Sequence, residues 1–179
     1  MSIDNHAYVY DPNPSSFLVE NINLLPKKGR ALDIAMGEGR NALYLAGLGY
    51  EVEGVDRSPE AVAKALQLAR EHGLNIKAAV GDLEKDYRIT PDYYDLIICF
   101  NYLQRSLVLQ IKAGLKMGGF LVYETYTIEQ QRFNHPSNPD FLLGYNELLN
   151  LFREFRILRY REGLIEDRKA IAGLIAVKD

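Results

Sequence analysis

The sequence holds a single cysteine, Cys99, among 179 residues. That excludes an intrachain disulfide and leaves no cysteine-based zinc cluster, so no metal site is expected. Runs of lysine or arginine are missing too, and the formal net charge is −3. Nucleic-acid binding draws its affinity from grouped positive charge that displaces counterions, so that class is disfavoured unless a local basic groove forms. No apolar run reaches the length of a membrane span. Residues 1–10 are polar and lack the apolar centre of a signal peptide. The expected location is the cytoplasm, without a membrane partner, as a monomer or homodimer.

What is present is the composition of a globular protein, 47% hydrophobic and 25% charged, at a length that suits one domain. We expect that domain to cover 1–179, with 1–28 as an N-terminal helix and lid segment. Short apolar runs at 31–35, 94–100 and 120–125, the alternating 50–55 that ends at Asp56, and 75–80 read as strands. Between them, helical spacing recurs: Ala42, Leu45 and Ala46, then Val62, Ala65, Leu66 and Ala69, then Leu107, Ile111 and Leu115. Ser58-Pro59 is a helix start, a hydroxyl N-cap followed by proline at the first position. Gly118-Gly119 reads as the stop of the helix that begins near Leu107. Alternation of this kind predicts right-handed parallel βαβ units. The tail breaks it, with a short helix at 147–152 and two strands, 155–160 and 170–177, that read as an antiparallel hairpin on the sheet edge. The fold class is therefore α/β, a Rossmann-like, mostly parallel seven-stranded sheet with a C-terminal antiparallel hairpin and helices on both faces. The irregular stretch 128–143, rich in Asn, Pro and Gln, reads as a mobile substrate-side loop.

Gly37-Glu38-Gly39 falls between the first strand and the first helix, where backbone passes close to a ligand. Alone, the tripeptide reads equally as a tight turn. Three aspartates add to it. Asp33 lies inside the first strand, before the glycines. Dinucleotide sites set a pyrophosphate on the helix N-terminus, and a carboxylate beside it would be repelled. S-adenosylmethionine (SAM) carries no phosphate; its ammonium and sulfonium welcome a carboxylate. Asp56 ends the second strand, where it can accept both ribose hydroxyls, and Arg57 follows it. Asp82, in Val80-Gly81-Asp82-Leu83, is placed to accept from an adenine amino group, with Leu83 packing on the ring. Taken singly, each aspartate reads as a cap or a solubilising loop residue; together they aim at one crevice. Arg40 reads two ways, as a planar fork for the methionine carboxylate or as a solvated first-turn arginine. Asn41 reads as a brace of the loop.

Leu32-Asp33-Ile34-Ala35-Met36-Gly37-Glu38-Gly39-Arg40-Asn41 resembles the motif of TehB-like, tellurite-resistance-type SAM methyltransferases, Leu-Asp-x-x-x-Gly-x-Gly-Arg-Asn. The likeness continues through Tyr44-Leu45, Gly49-Tyr50-Glu51-Val52, Gly54-Val55-Asp56, the Asp82 segment, and Glu147-Leu148 with Phe152. The resemblance implies a class I methyltransferase fold and a SAM pocket holding Tyr10, Asp33, Ala35, Gly37, Gly39, Arg40, Asp56, Arg57, Asp82, Leu83 and Phe100. It leaves tellurite itself as one phenotype of the group. Ala35 and Met36 stand where the family commonly has Gly and Cys, and Met36 adds bulk near the pocket.

The acceptor is less legible. Cys99-Phe100-Asn101-Tyr102 lacks the Asp/Asn-Pro-Pro-Tyr pattern of enzymes that methylate amino groups in nucleic acids and glutamine. Phe100 reads as pocket wall or as core, and Cys99 as a small buried hydrophobe. Glu124, Tyr126 and Thr127 are expected to leave the fifth strand facing the crevice, with Gln131 and His135 in the loop and Tyr8 and Tyr10 closing from the N-terminal side. Tyr126 and His135 are the candidates for catalysis, although His135 reads more readily as a solvent-facing histidine. His72 reads as structural, and His6 is uninformative. Two other readings stand beside a small-molecule methyltransferase. One is a SAM-binding protein without catalysis; the other is an NAD(P)-dependent oxidoreductase, for which Ala42 falls where a third glycine would.

Overall fold

The computed structural model describes residues 12–133, 135–165 and 169–179. Five parallel strands form most of one sheet: β1 (Arg30–Ile34), β2 (Glu51–Asp56), β3 (Ile76–Val80), β4 (Tyr94–Phe100) and β5 (Leu115–Tyr126). Two more, β6 (Arg156–Leu164) and β7 (Ala170–Val177), run antiparallel to their neighbours, and the spatial order is β3-β2-β1-β4-β5-β7-β6. The chain therefore reverses its winding between β1 and β4, and crevices in open α/β sheets form at such a switch point.

The helices are α1 (Ser16–Glu20), α2 (Arg40–Gly47), α3 (Pro59–Glu71), α4 (Val108–Gly114) and α5 (Glu147–Leu151). Alternate residues of the central strands point to opposite faces, which splits the core in two. Ala31, Leu96, Ile98 and Val122 pack with α1, α2 and α3 through Phe17, Leu18, Leu45, Val62 and Ala65. Leu32, Ile34, Ile97, Leu121 and Tyr123 pack on the other face with α4 and α5 through Ile111, Leu148 and Phe152. Strands buried on both faces have no polar side to show. That is why β4 is a near-continuous apolar run and every residue of β7 is buried. The α3 start is as read from the sequence: Ser58 Oγ accepts the Ala61 N–H at 3.1 Å, with Pro59 in the first turn. Among the described residues no helix is long and apolar enough to cross a membrane.

Three elements depart from the expected pattern. The short N-terminal helix, expected to run from Ser15 through Leu25, ends at Glu20 and is followed by a 3-10 turn at Ile22–Leu24. Gly118-Gly119 does not stop α4. The helix already ends at Gly114, where Lys178 Nζ donates to the carbonyls of Lys112 (2.8 Å) and Leu115 (2.6 Å). The glycines lie within β5, and Gly118 takes φ 75° and donates its N–H to Lys178 O at 2.7 Å. They mark an irregular strand start rather than a helix end, a use of glycine that periodicity does not distinguish. The stretch after β5 is also less irregular than expected, with 3-10 turns at Ile128–Phe133 and Pro139–Phe141.

Met36, the bulky departure from the family motif, is 6% exposed and packs over β2. A Cβ at Gly54 would sit 2.1 Å from its sulfur. The missing side chain of Gly54 is thus the room that Met36 fills. Gly54→Ala is expected to cost about 1–3 kcal/mol in chemical denaturation through overpacking. Adding Met36→Cys to that variant should recover part of the loss, and strict additivity of the two changes would refute the contact.

Candidate functional site

The glycine loop is built by two constraints. Gly37 (φ 57°) and Gly39 (φ 83°) take left-handed backbone where the chain leaves β1 and enters α2. Gly39 also needs its lack of a side chain, because a Cβ there would lie 3.0 Å from Ala65 Cβ on α3. Asp56 at the end of β2 then fixes the loop. Its Oδ2 accepts the Gly37 N–H at 2.8 Å, and its Oδ1 accepts the Ser58 N–H at 2.9 Å. Met36 N–H donates to Val55 O at 3.0 Å, continuing the tie between β2 and the loop.

Across the switch point, Ala35 after β1 (φ 54°) and Asn101 after β4 (φ 55°) are both left-handed. Asparagine tolerates that conformation; alanine pays about 1 kcal/mol for it. Ala35 therefore occupies the strained position for which the related motif commonly uses glycine. Beyond these two residues lie two joined compartments that share Ala35, Asn101, Tyr126 and Pro136. The larger, about 730 Å³, is walled by Asp33, Gly37, Arg40, Asn41, Phe100 and His135. The smaller, about 310 Å³, is walled by Asp56, Arg57, Asp82, Leu83, Tyr102 and Phe141 among others. Both volumes fall within the range of small-ligand sites.

Asp33 dominates the electrostatics. It is 2% exposed, and its Oδ2 has no hydrogen-bond partner. Burial lifts its pKa from the ordinary 3.8 to about 8, against the pull of the Ala42 N–H and the Arg40 charge and with a further push from Asp56. Asp82 is the opposite case. It is half-buried, its Oδ1 accepts the Glu84 N–H at 2.9 Å, and Lys85 Nζ lies 3.0 Å from its Oδ2. Those contacts lower its pKa. Cys99 is buried, with its thiol pushed up to about 12 and donating to Tyr102 O, so it is not a nucleophile.

Of the residues picked from the sequence, Asp33, Ala35, Gly37, Arg40, Asp56, Arg57, Asp82, Leu83, Phe100, Tyr126 and His135 all line the two compartments. Gly39 lines neither and serves the packing of α2 on α3. Tyr8 and Tyr10 lie outside the described residues. Arg40 donates to Asn13 O at 3.3 Å, a tether to the segment before α1 that neither reading of it included. Asn41 Oδ1 accepts the Ser15 N–H at 2.8 Å, so it braces that segment rather than the glycine loop.

Three expected residues point elsewhere. Gln131 lines neither compartment and donates to Ser137 O at 2.8 Å. Glu124 turns away from the crevice to Arg161, 2.7 Å from Nη2, and Ser15 Oγ. Thr127 is buried where it bridges Leu143. Missed altogether were Tyr102, Leu103, Pro136 and Phe141. Only the length of the 128–143 stretch hinted at the last two.

A methyltransferase domain family matches residues 31–119, the span from β1 into β5. Hemagglutinin 1 of Eikenella corrodens is 30% identical over 146 residues, 75% of this chain and 46% of that protein. The probable SAM-dependent methyltransferase TehB of Haemophilus influenzae is 27% identical over 146 residues, 78% of this chain and 50% of its own length. The chain spans about half the length of the curated relatives it matches. The crystal structure of H. influenzae TehB superposes with a TM-score of 0.75 at 24% identity, covering 91% of this chain and 61% of that one. In its sheet order, its antiparallel seventh strand and the family matched over residues 31–119, the chain resembles class I SAM-dependent methyltransferases. Within that class it resembles TehB.

A carboxyl held above its unfolded pKa keeps a proton that the unfolded chain releases. Its contribution to stability is full below the ordinary 3.8 and fades as pH rises toward about 8. Asp33→Asn, which cannot ionise, is therefore expected to be more stable than the wild type at pH 8 and to lose the gradient between pH 4 and 8. Parallel pH slopes in urea titrations of the two proteins would show that Asp33 is not buried as described.

Proposed function

We propose that this chain transfers a methyl group from SAM to a small-molecule acceptor. The observation that carries the reading is the buried carboxyl of Asp33, with one oxygen unpartnered in the larger compartment. A desolvated carboxyl in that position favours a cationic ligand, which restores its charge, over a phosphate, which would push its pKa further up. The α-ammonium of SAM fits that demand and the pyrophosphate of a dinucleotide does not.

The other residues fit the same ligand. Each Asp56 oxygen accepts one backbone N–H and keeps a lone pair for a ribose hydroxyl. Asp82, Leu83 and Arg57 bound the adenine end. Gly37 and Ala35 let the backbone approach, and Arg40 and Phe100 bound the methionine end. Bound SAM supplies a methyl group already activated on sulfur. The chain's own task is then to orient the acceptor and keep water out. Tyr126 and His135 line the larger compartment, and Tyr126 the smaller as well; they are the groups placed to orient an acceptor or take its proton.

Resemblance to TehB makes chalcogen oxyanions such as tellurite, and thiols, the first acceptors to try. A SAM-consumption screen over those, phenols and small amines tests the range. For the cofactor, Asp56→Ala is expected to weaken SAM binding by about 1–3 kcal/mol, because ribose hydroxyls lose their partner and the Gly37 loop its brace. Calorimetry checks it. Unaltered SAM affinity would mean the crevice is misassigned, and wild-type binding of NAD(P) in place of SAM would overturn the reading.

A further inference from the structure

Besides the ends of β2 and β3, two walls of the smaller compartment come from distant parts of the chain. One wall is the segment after β4, with Asn101, Tyr102 and Leu103; the other is Pro136 and Phe141 in the excursion between β5 and α5. A single side chain joins them. Arg105 begins the 3-10 turn Arg105–Leu107 that follows the first wall. Its Nε and Nη2 meet the two carboxylate oxygens of Glu147 at 2.6 and 2.9 Å. Its Nη1 donates to Asp140 O at 2.9 Å, and Nη2 also donates to Leu142 O at 2.9 Å. Glu147 in turn accepts the Gly144 N–H at 2.7 Å.

An isolated ion pair on a surface is worth little. This one is a planar fork on a carboxylate, and the same guanidinium satisfies two carbonyls on either side of Phe141. The excursion is closed at its base as well. Thr127 bridges Leu143, Ile128 N–H donates to Leu143 O at 2.8 Å, and Gln130 Oε1 accepts the Ala170 N–H at 2.8 Å. What read from the sequence as a mobile stretch is latched down.

We propose that Arg105 is a positioning residue for the methyl acceptor. It holds the Pro136–Phe141 wall against the β4 end; Pro136 is shared with the larger compartment, next to His135, so the acceptor's side of the crevice is assembled before an acceptor arrives. This rests on the methyltransferase reading above. Arg105 lines neither compartment itself and acts through the backbone it holds.

The experiment uses the full chain as wild type, Arg105→Ala and Arg105→Lys. Amide hydrogen exchange is followed by mass spectrometry, and S-adenosylhomocysteine affinity by calorimetry. Selenite and 2-mercaptoethanol serve as acceptor probes. In Arg105→Ala, exchange across 135–143 is expected to rise roughly tenfold, with β1 to β3 unchanged. S-adenosylhomocysteine affinity stays at the wild-type level, and KM for a probe that is turned over rises while KM for SAM does not. Arg105→Lys falls between, since a lysine keeps the charge but loses the fork and a carbonyl contact.

Wild-type exchange rates across 135–143 in Arg105→Ala would overturn the proposal. So would faster exchange spread evenly over the sheet, or a KM increase for SAM matching that for the probe. If neither probe is turned over, the exchange and affinity arms decide. A wild-type protein that fails to bind S-adenosylhomocysteine strikes the methyltransferase reading instead, and the exchange arm still judges the latch.

Discussion

The two loops that open α2 and α3 onto the crevice depend on the carboxylate of Asp56. Its two oxygens hold the N–H groups of Gly37 and Ser58, so one side chain sets both the loop that opens α2 and the turn that opens α3. Those two helices start side by side, with Gly39 against Ala65. With the loop set, the backbone at Ala35 and Met36 is fixed, and Asp33 is enclosed beneath α2. A backbone N–H left without that acceptor would cost more than the net worth of a hydrogen bond. Asp56 is thus a structural brace as well as the acceptor proposed for ribose. Its two roles use different lone pairs of the same atoms, so a ligand on one would stiffen the loop held by the other.

The two halves of the crevice are built on different principles. The half proposed for the cofactor is made of strand ends and the turns immediately after them, so every wall is within a few residues of a β-strand. Its shape follows from the sheet. The half proposed for the acceptor is closed by a segment that leaves the sheet at Tyr126 and is held by side chains, chiefly Arg105 and Gln130. One half is a consequence of topology, the other of specific contacts.

That difference decides what the sequence could reveal. β4 was legible because a strand buried on both faces carries a near-continuous apolar run, β1 from its short apolar run before the glycine loop, β2 from its alternation, and α3 because Ser58-Pro59 is an unambiguous start. Asp33, Asp56 and Asp82 were legible because each sits at a fixed place relative to such a strand. Pro136 and Phe141 were not, since nothing local reports that residues 35 positions apart, Arg105 and Asp140, meet. Glu124 was misread for a related reason. At a strand end two faces are open to a polar side chain, and the choice was made by Arg161 on β6, which also lies over the Phe17 ring at 4.5 Å. Gly118-Gly119 misled because glycine breaks a helix and bends a strand equally well.

The placement of β7 between β5 and β6 sets the order in which the sheet can close. Phe120 pairs with Val177 and Tyr126 with Ile171, contacts that span a long stretch of chain and are slow to form. Until β7 arrives, β5 presents an open edge of unpaired backbone, the kind of surface that recruits other chains. β6 emerges first and lies nearer in sequence, yet it is a poor substitute. Its Arg156, Arg159 and Glu162 would be carried toward the middle of the sheet, where charge is expensive to bury. The apolar run of β7 and the charges of β6 together make the nearer strand wait for the farther one. A chain in which β5 lacked β7 would present that open edge, and the charges of β6 disfavour its taking the place of β7 there.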